Sequence, residues 1–169
     1  DQSRVIASGY NWVPRPVFQS YAAYNPQLAK INNDHLLGNK APDNIVFRIL
    51  TIDNRYPTLD DGLSWPTILS NYRLDGASGD YLFLKKDREM NIQPTICSLS
   101  INAYLFGQSI SVPSAKGLIF VEIDIKPTLL GRLINILFKT SELHIQVFLD
   151  NGKSRDYRIS PGMAKSGFI

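Results

Sequence analysis

The sequence predicts a mixed α+β protein, a small α/β layer followed by an antiparallel β-sandwich-like unit. Three observations carry this. Over residues 1–86 apolar strand-like runs alternate with stretches of helical spacing. After Glu89 the period changes to two, with Cys97, Leu99, Ile101, Ala103 and Leu105 alternating with polar neighbours. Near the end, Asp150-Asn151-Gly152-Lys153 separates two such runs, which is a hairpin signal.

In chain order, Arg4 to Tyr10 reads as a short strand closed by Gly9 and Asn11. Two prolines flank Arg15 in Trp12 to Phe18, which excludes a helix interior and favours an extended crossing. Asn25-Pro26 is a cap followed by proline at the first helical position, and Leu28, Ile31, His35 and Leu36 repeat at helical spacing until Gly38. His35 reads as a packed side chain. The run Asn44 to Ile52 is almost continuously apolar, as a strand covered on both faces would be. Ser64 is placed to cap a helix carrying Trp65, Ile68, Leu69 and Tyr72, with Asp75-Gly76 as its stop. Tyr81 to Leu84 is the next strand, closed by the charged run Lys85 to Glu89. Right-handed crossovers are expected for this alternation.

In the second half, Ile119 to Ile125 and Leu143 to Leu149 repeat the alternation of residues 97–105. Asn151-Gly152 accepts the positive φ of a type I′ turn, and Arg155 to Ile159 is the partner strand. Leu129 to Phe138 fits a helix of about three turns, although Gly131 costs it about 1 kcal/mol; a strand is the alternative. Two lobes are expected, residues 1–86 and 93–169, packed together or forming one domain, because too few residues separate them for a free linker.

Composition narrows the function. The 18 Lys and Arg are scattered and the net charge is only +3, so no phosphate-tracking surface for nucleic acid is expected. The lone Cys97 has no internal disulfide partner and reads as a small buried hydrophobe. No apolar run approaches the ~18 residues of a membrane helix, so the fragment itself is not expected to span a bilayer. There is no glycine-rich phosphate loop, Cys-x-x-Cys pair, His pair at metal spacing or Gly-x-Ser-x-Gly, so no metal site, cofactor or triad hydrolase is expected.

Two clusters remain as candidate ligand sites. The first is the acidic loop, Asp53, Arg55, Asp60 and Asp61 with Trp65, which follows an apolar run. Paired carboxylates bind a hard cation through oxygen, serve as acid and base on a glycosidic bond, or hydrogen-bond a sugar stacked on an indole. Against these stands the plain structural alternative, in which Asp53 pairs with Arg55 and Asp60-Asp61-Gly62 is a solvated turn. The second cluster is Arg15, Gln19, Tyr21 and Tyr24, residue types that line sugar sites and ordinary packed crossings alike. Catalysis is not expected from either, since adjacent Asp60 and Asp61 diverge and Asp53 is kept ionised beside Arg55.

Pro14 to Tyr24, Ala41 to Phe47 leading into Ile52-Asp53-Asn54-Arg55-Tyr56-Pro57-Thr58-Leu59-Asp60-Asp61-Gly62 and Trp65-Pro66, and Tyr157 to Phe168 together resemble the extramembrane region of uncharacterised bacterial multi-pass inner-membrane proteins with a glycosyltransferase-like layout. The resemblance implies a periplasmic location at the inner membrane and a membrane portion outside this chain. The remainder of that membrane protein, and a saccharide, are the implied partners. It supplies no catalytic residues. The expected function is a non-catalytic periplasmic accessory domain binding glycan or a partner in envelope glycan assembly. The alternative is a saccharide-acting or metal-dependent enzyme fragment using the loop Asp53 to Asp61.

Overall fold

The computed structural model describes residues 2–48, 50–90, 92–138 and 142–169. The chain is a mixed α+β fold in which a small helical layer is followed by antiparallel sheets. Its elements are α1 (Gln2–Ala7), α2 (Pro26–Leu37), β1 (Asn44–Arg48), α3 (Ser64–Asn71), β2 (Tyr72–Ser78), β3 (Tyr81–Lys86), α4 (Leu129–Leu137), β4 (Leu143–Phe148), β5 (Ser154–Ile159) and α5 (Pro161–Ser166). Short 3-10 turns occupy Ser20–Ala22 and Pro57–Leu59.

α2 forms where the sequence indicates, with the Asn25 side chain accepting from the Leu28 N–H at 2.9 Å and Pro26 in the first turn. The N-terminal segment is α1, not a strand. Gly9, at φ 71°, donates its N–H to the Ile6 carbonyl, so the glycine that seemed to close a strand ends a helical turn.

The first sheet has the order β1-β3-β2 and is antiparallel throughout, with Val46 opposite Phe83 and Leu74 opposite Leu84. No crossover is needed, because β2 and β3 form a hairpin turning at Gly79, whose φ is 56°. Asp75-Gly76 does not stop a helix. α3 ends at Asn71, Tyr72 passes directly into β2, and the register slips between Leu74 and Gly76 as a bulge. β1 is an edge strand, half-buried at Ile45 and Phe47 and exposed at Asn44, Val46 and Arg48, so only one face is covered. Phe47 meets Trp65 of α3 edge-on, ring centroids 4.9 Å apart. Ile49, within the expected strand, lies outside the described residues.

The second sheet is the hairpin β4-β5, with Ile145 opposite Tyr157. Its loop is a type I turn closed by Gly152 at φ 76°, with Gly152 donating to the Leu149 carbonyl and Leu149 to the Lys153 carbonyl. Asn151 keeps a negative φ, so the hairpin signal holds while the type I′ geometry does not. Residues 97–105 form no ladder, and of residues 119–125 only Val121 makes a bridge, to Phe168. Alternation alone does not make a strand, since the backbone groups must also pair with another strand. Cys97 is accordingly exposed rather than buried.

α4 is helical, as the spacing indicated, with the Thr128 hydroxyl accepting from the Gly131 N–H. α5 was not foreseen in the sequence. Its residues Met163 and Ala164, with Ile159, Phe168 and Leu59, make the buried core, against which Tyr56, Val121, Ile123, Leu143 and Ile145 pack. Both halves of the chain therefore contribute to one apolar cluster.

Candidate functional site

The acidic loop is built by two departures from ordinary backbone. Asp53 and Asn54 sit at φ 56° and 53°, turning the chain so that the Asn54 carbonyl accepts from the Arg158 N–H at 2.8 Å and Arg55 bridges to Arg158 on the β5 edge. After the turn Pro57–Leu59, Asp60 and Asp61 enter the interior, with Asp61 at φ 58°. A left-handed aspartate costs on the order of 1 kcal/mol, so the surroundings must hold it there.

They do so by bringing part of the two clusters together. The Arg15 guanidinium lies 2.9 Å from Asp61, whose side chain is only 8% exposed. The Val17 N–H donates to the buried Asn32 side chain at 2.8 Å, pinning the segment after Arg15 onto α2. Arg55 donates to the Tyr21 carbonyl at 3.4 Å and touches the Met163 sulfur at 3.5 Å. Tyr21 thus contributes its backbone rather than its phenol. Gln19 and Tyr24 remain exposed at the surface, outside this centre.

Gly62 is buried, and this corrects the expectation of a solvated turn at Asp60-Asp61-Gly62. A β-carbon at Gly62 would overlap the Gly167 carbonyl, so the glycine permits close approach of two backbones. At Gly162 a β-carbon would likewise overlap the Tyr24 carbonyl, seating α5 under the start of α2.

The electrostatics follow from burial. Desolvation raises the Asp61 carboxyl above its ordinary value, against the opposing pull of Arg15 and of Asn32 and Ser64. Desolvation also raises Asp60, opposed by Arg55, reinforced by Asp61 and opposed again by Arg15. Asp53 is exposed and lies between two cations, 3.8 Å from Arg55 and 3.3 Å from Arg158. Arg158 also reaches Glu142 at 3.4 Å.

Trp65 is half-buried and packs on Phe47, while its indole N–H is shielded from solvent without a partner among the described residues. Ser64 does not cap α3. It is the first helical residue, fully buried, and Leu63 takes the cap position without a side-chain bond. Sequence reading missed Asn32 and gave Ser64 only the role of a cap. The available signal was Asn32-Asn33 in the middle of a helix, which is unfavourable unless the side chains find partners. Asn32 holds the Val17 N–H and Asn33 accepts from the Thr67 hydroxyl at 2.6 Å.

Chemically, the centre is an ion-paired carboxylate beside a second buried carboxylate. Among the described residues no group of three His, Cys, Asp or Glu stands ready to hold a metal ion. A shallow cavity of about 90 Å³ is lined by Asn33, Leu37, Leu63, Pro66, Thr67, Gln93, Pro94 and Ile96. Neither Asp60 nor Asp61 lines it, and it falls below the ~300 Å³ at which ligand pockets begin. No family model, curated protein or solved structure matches this chain.

Proposed function

We propose that this chain is a non-catalytic accessory domain on the periplasmic side of a bacterial inner-membrane protein, binding glycan or a partner in envelope glycan assembly. One observation carries the non-catalytic part: Asp61 is enclosed and held at 2.9 Å by Arg15. Its neighbour Asp60 is also buried. A carboxylate that works on a glycosidic bond must face the sugar. Here the pair instead ties the N-terminal segment to the helical layer. The envelope setting is supported by the sequence resemblance alone.

Among the candidate residues, Gln19, Tyr24 and Asp53 are exposed. Asp53 with Arg158 beside it, and separately Gln19 and Tyr24, are the exposed side chains open to a saccharide. Hydrogen bonds from such a shallow surface support weak binding, about millimolar.

The second reading, an enzyme fragment acting through Asp60 and Asp61, is favoured by the raised carboxyls of both, since a general acid must keep its proton near neutral pH. The two readings separate in one experiment. The chain is incubated with envelope glycans and lipid-linked sugars, with and without divalent metal, while turnover and binding are followed. The accessory-domain reading expects no turnover and weak binding reduced by Asp53→Asn or Tyr24→Ala. Turnover lost in Asp60→Asn, with the fold intact, would overturn it.

A further inference from the structure

α4 contributes no residue to the buried core. Its residues Leu129, Leu130, Leu133, Ile136 and Leu137, with Phe138 at its end, are between 62 and 81% exposed. At 3.6 residues per turn the apolar positions fill an arc of about 200°, and Gly131, Arg132 and Asn135 share the remainder. An apolar arc this wide, left in water, is far beyond the isolated exposed leucines that any protein shows.

A second exposed element has the same character. Leu105 and Phe106 stand at a turn closed by Gln108, whose side chain accepts from the Leu105 N–H and whose own N–H donates to the Leu105 carbonyl. They are 77% and 76% exposed. From Met90 to Val121 the sequence holds no Asp or Glu, and Lys116 is its one charged residue.

We propose that α4 docks onto the surface of a lipid bilayer carrying anionic headgroups. The charge around the helix selects this occupant. From Ile125 to Ser141 there is no carboxylate, whereas Lys126, Arg132 and Lys139 are cationic. Lys126 shares the single carboxylate of Asp124 with Lys165, at 3.6 and 3.4 Å, which leaves that group net positive. Cations beside a broad Leu- and Phe-rich face are the pattern of a helix lying in the interfacial plane. Nine residues give about 13 Å of helix, well short of the ~30 Å hydrocarbon core, so α4 lies on the bilayer rather than across it. This inference stands apart from any glycan binding.

The test is flotation of the intact chain with vesicles. One set is phosphatidylcholine alone, and the other contains about a third phosphatidylglycerol. The expected result is flotation with the anionic vesicles, about tenfold weaker association with the neutral ones, and loss in high salt. Replacing Leu130, Leu133 and Leu137 by Ser is expected to reduce association more than tenfold while leaving the melting midpoint unchanged, because none of these side chains belongs to the core. Arg132→Gln is expected to weaken it about fivefold. A second readout is independent of that triple variant. In a Cys97→Ser background, a polarity-sensitive dye on Ile136→Cys is expected to shift to the blue on anionic vesicles. No association by either readout would overturn the proposal, and so would unchanged association of the triple variant. A concentration-dependent dimer abolished by the same three substitutions, with no vesicle binding, would assign the face to a second copy of this chain instead.

Discussion

The fold buries the carboxyls of both Asp60 and Asp61, where the spacing predicts a solvated turn. Burial raises Asp60, so the folded state binds its proton more tightly than the unfolded chain does. That contribution is fully present below the unfolded carboxyl value of about 3.9 and is lost as pH rises through the folded one. Thermal stability should therefore include a component that grows as pH falls through the folded value of the Asp60 carboxyl towards the unfolded one. Asp60→Asn should flatten that component and raise the midpoint at neutral pH, and melting curves across pH would show it; a lowered midpoint would contradict the assignment. Tyr72 makes a complementary case. Its phenol donates to the Pro42 carbonyl at 2.8 Å, and burial, with Asp43 nearby, pushes its pKa up to about 12. Tyr72→Phe is expected to cost about 1 kcal/mol in denaturant unfolding and to remove the last-ionising phenol from an absorbance titration.

At the scale of elements, what was legible followed local chemistry. The Asn25-Pro26 cap, the Asp150-Asn151-Gly152 hairpin and the spacing of α4 all specify structure within a few residues, and all three elements form. What failed depended on distant partners. The alternating run at 97–105 carries a strand pattern but pairs with no other strand, and Asp75-Gly76 has the same composition whether it stops a helix or bulges a strand. The candidate site was half legible. Asp61 and Arg15 were both named, yet nothing in a sequence separation of 46 residues announces their ion pair. Gly62 shows the same limit, since its close approach is to Gly167, more than a hundred residues away. Gly62→Ala should accordingly cost about 2–3 kcal/mol, through displacement of the Gly167 backbone, in equilibrium unfolding. A cost below about 0.5 kcal/mol would mean that α5 is not seated as described.

Across the whole molecule, the chain crosses repeatedly between its two halves. Tyr56 packs against Tyr157 and Phe168, with ring centroids 5.2 Å apart in both pairs, and Thr58 exchanges hydrogen bonds with the Ile169 backbone. We expect limited proteolysis within residues 93–118, where the chain is exposed, to leave the two parts associated after the cut. Separation into two pieces with unchanged spectra would contradict a shared core. No helix among the described residues is long and apolar enough to cross a membrane.

The central claim is that the Arg15–Asp61 pair fastens the fold and does not react. A double-mutant cycle on Arg15→Met and Asp61→Asn, read by equilibrium unfolding, tests it most directly. Arg15→Met, which leaves Asp61 buried and unpaired, is expected to destabilise the protein far more with Asp61 in place than in Asp61→Asn, a coupling of about 1–3 kcal/mol for this half-buried pair. Negligible coupling, with stability untouched and a glycan-processing activity lost in Asp61→Asn, would contradict it.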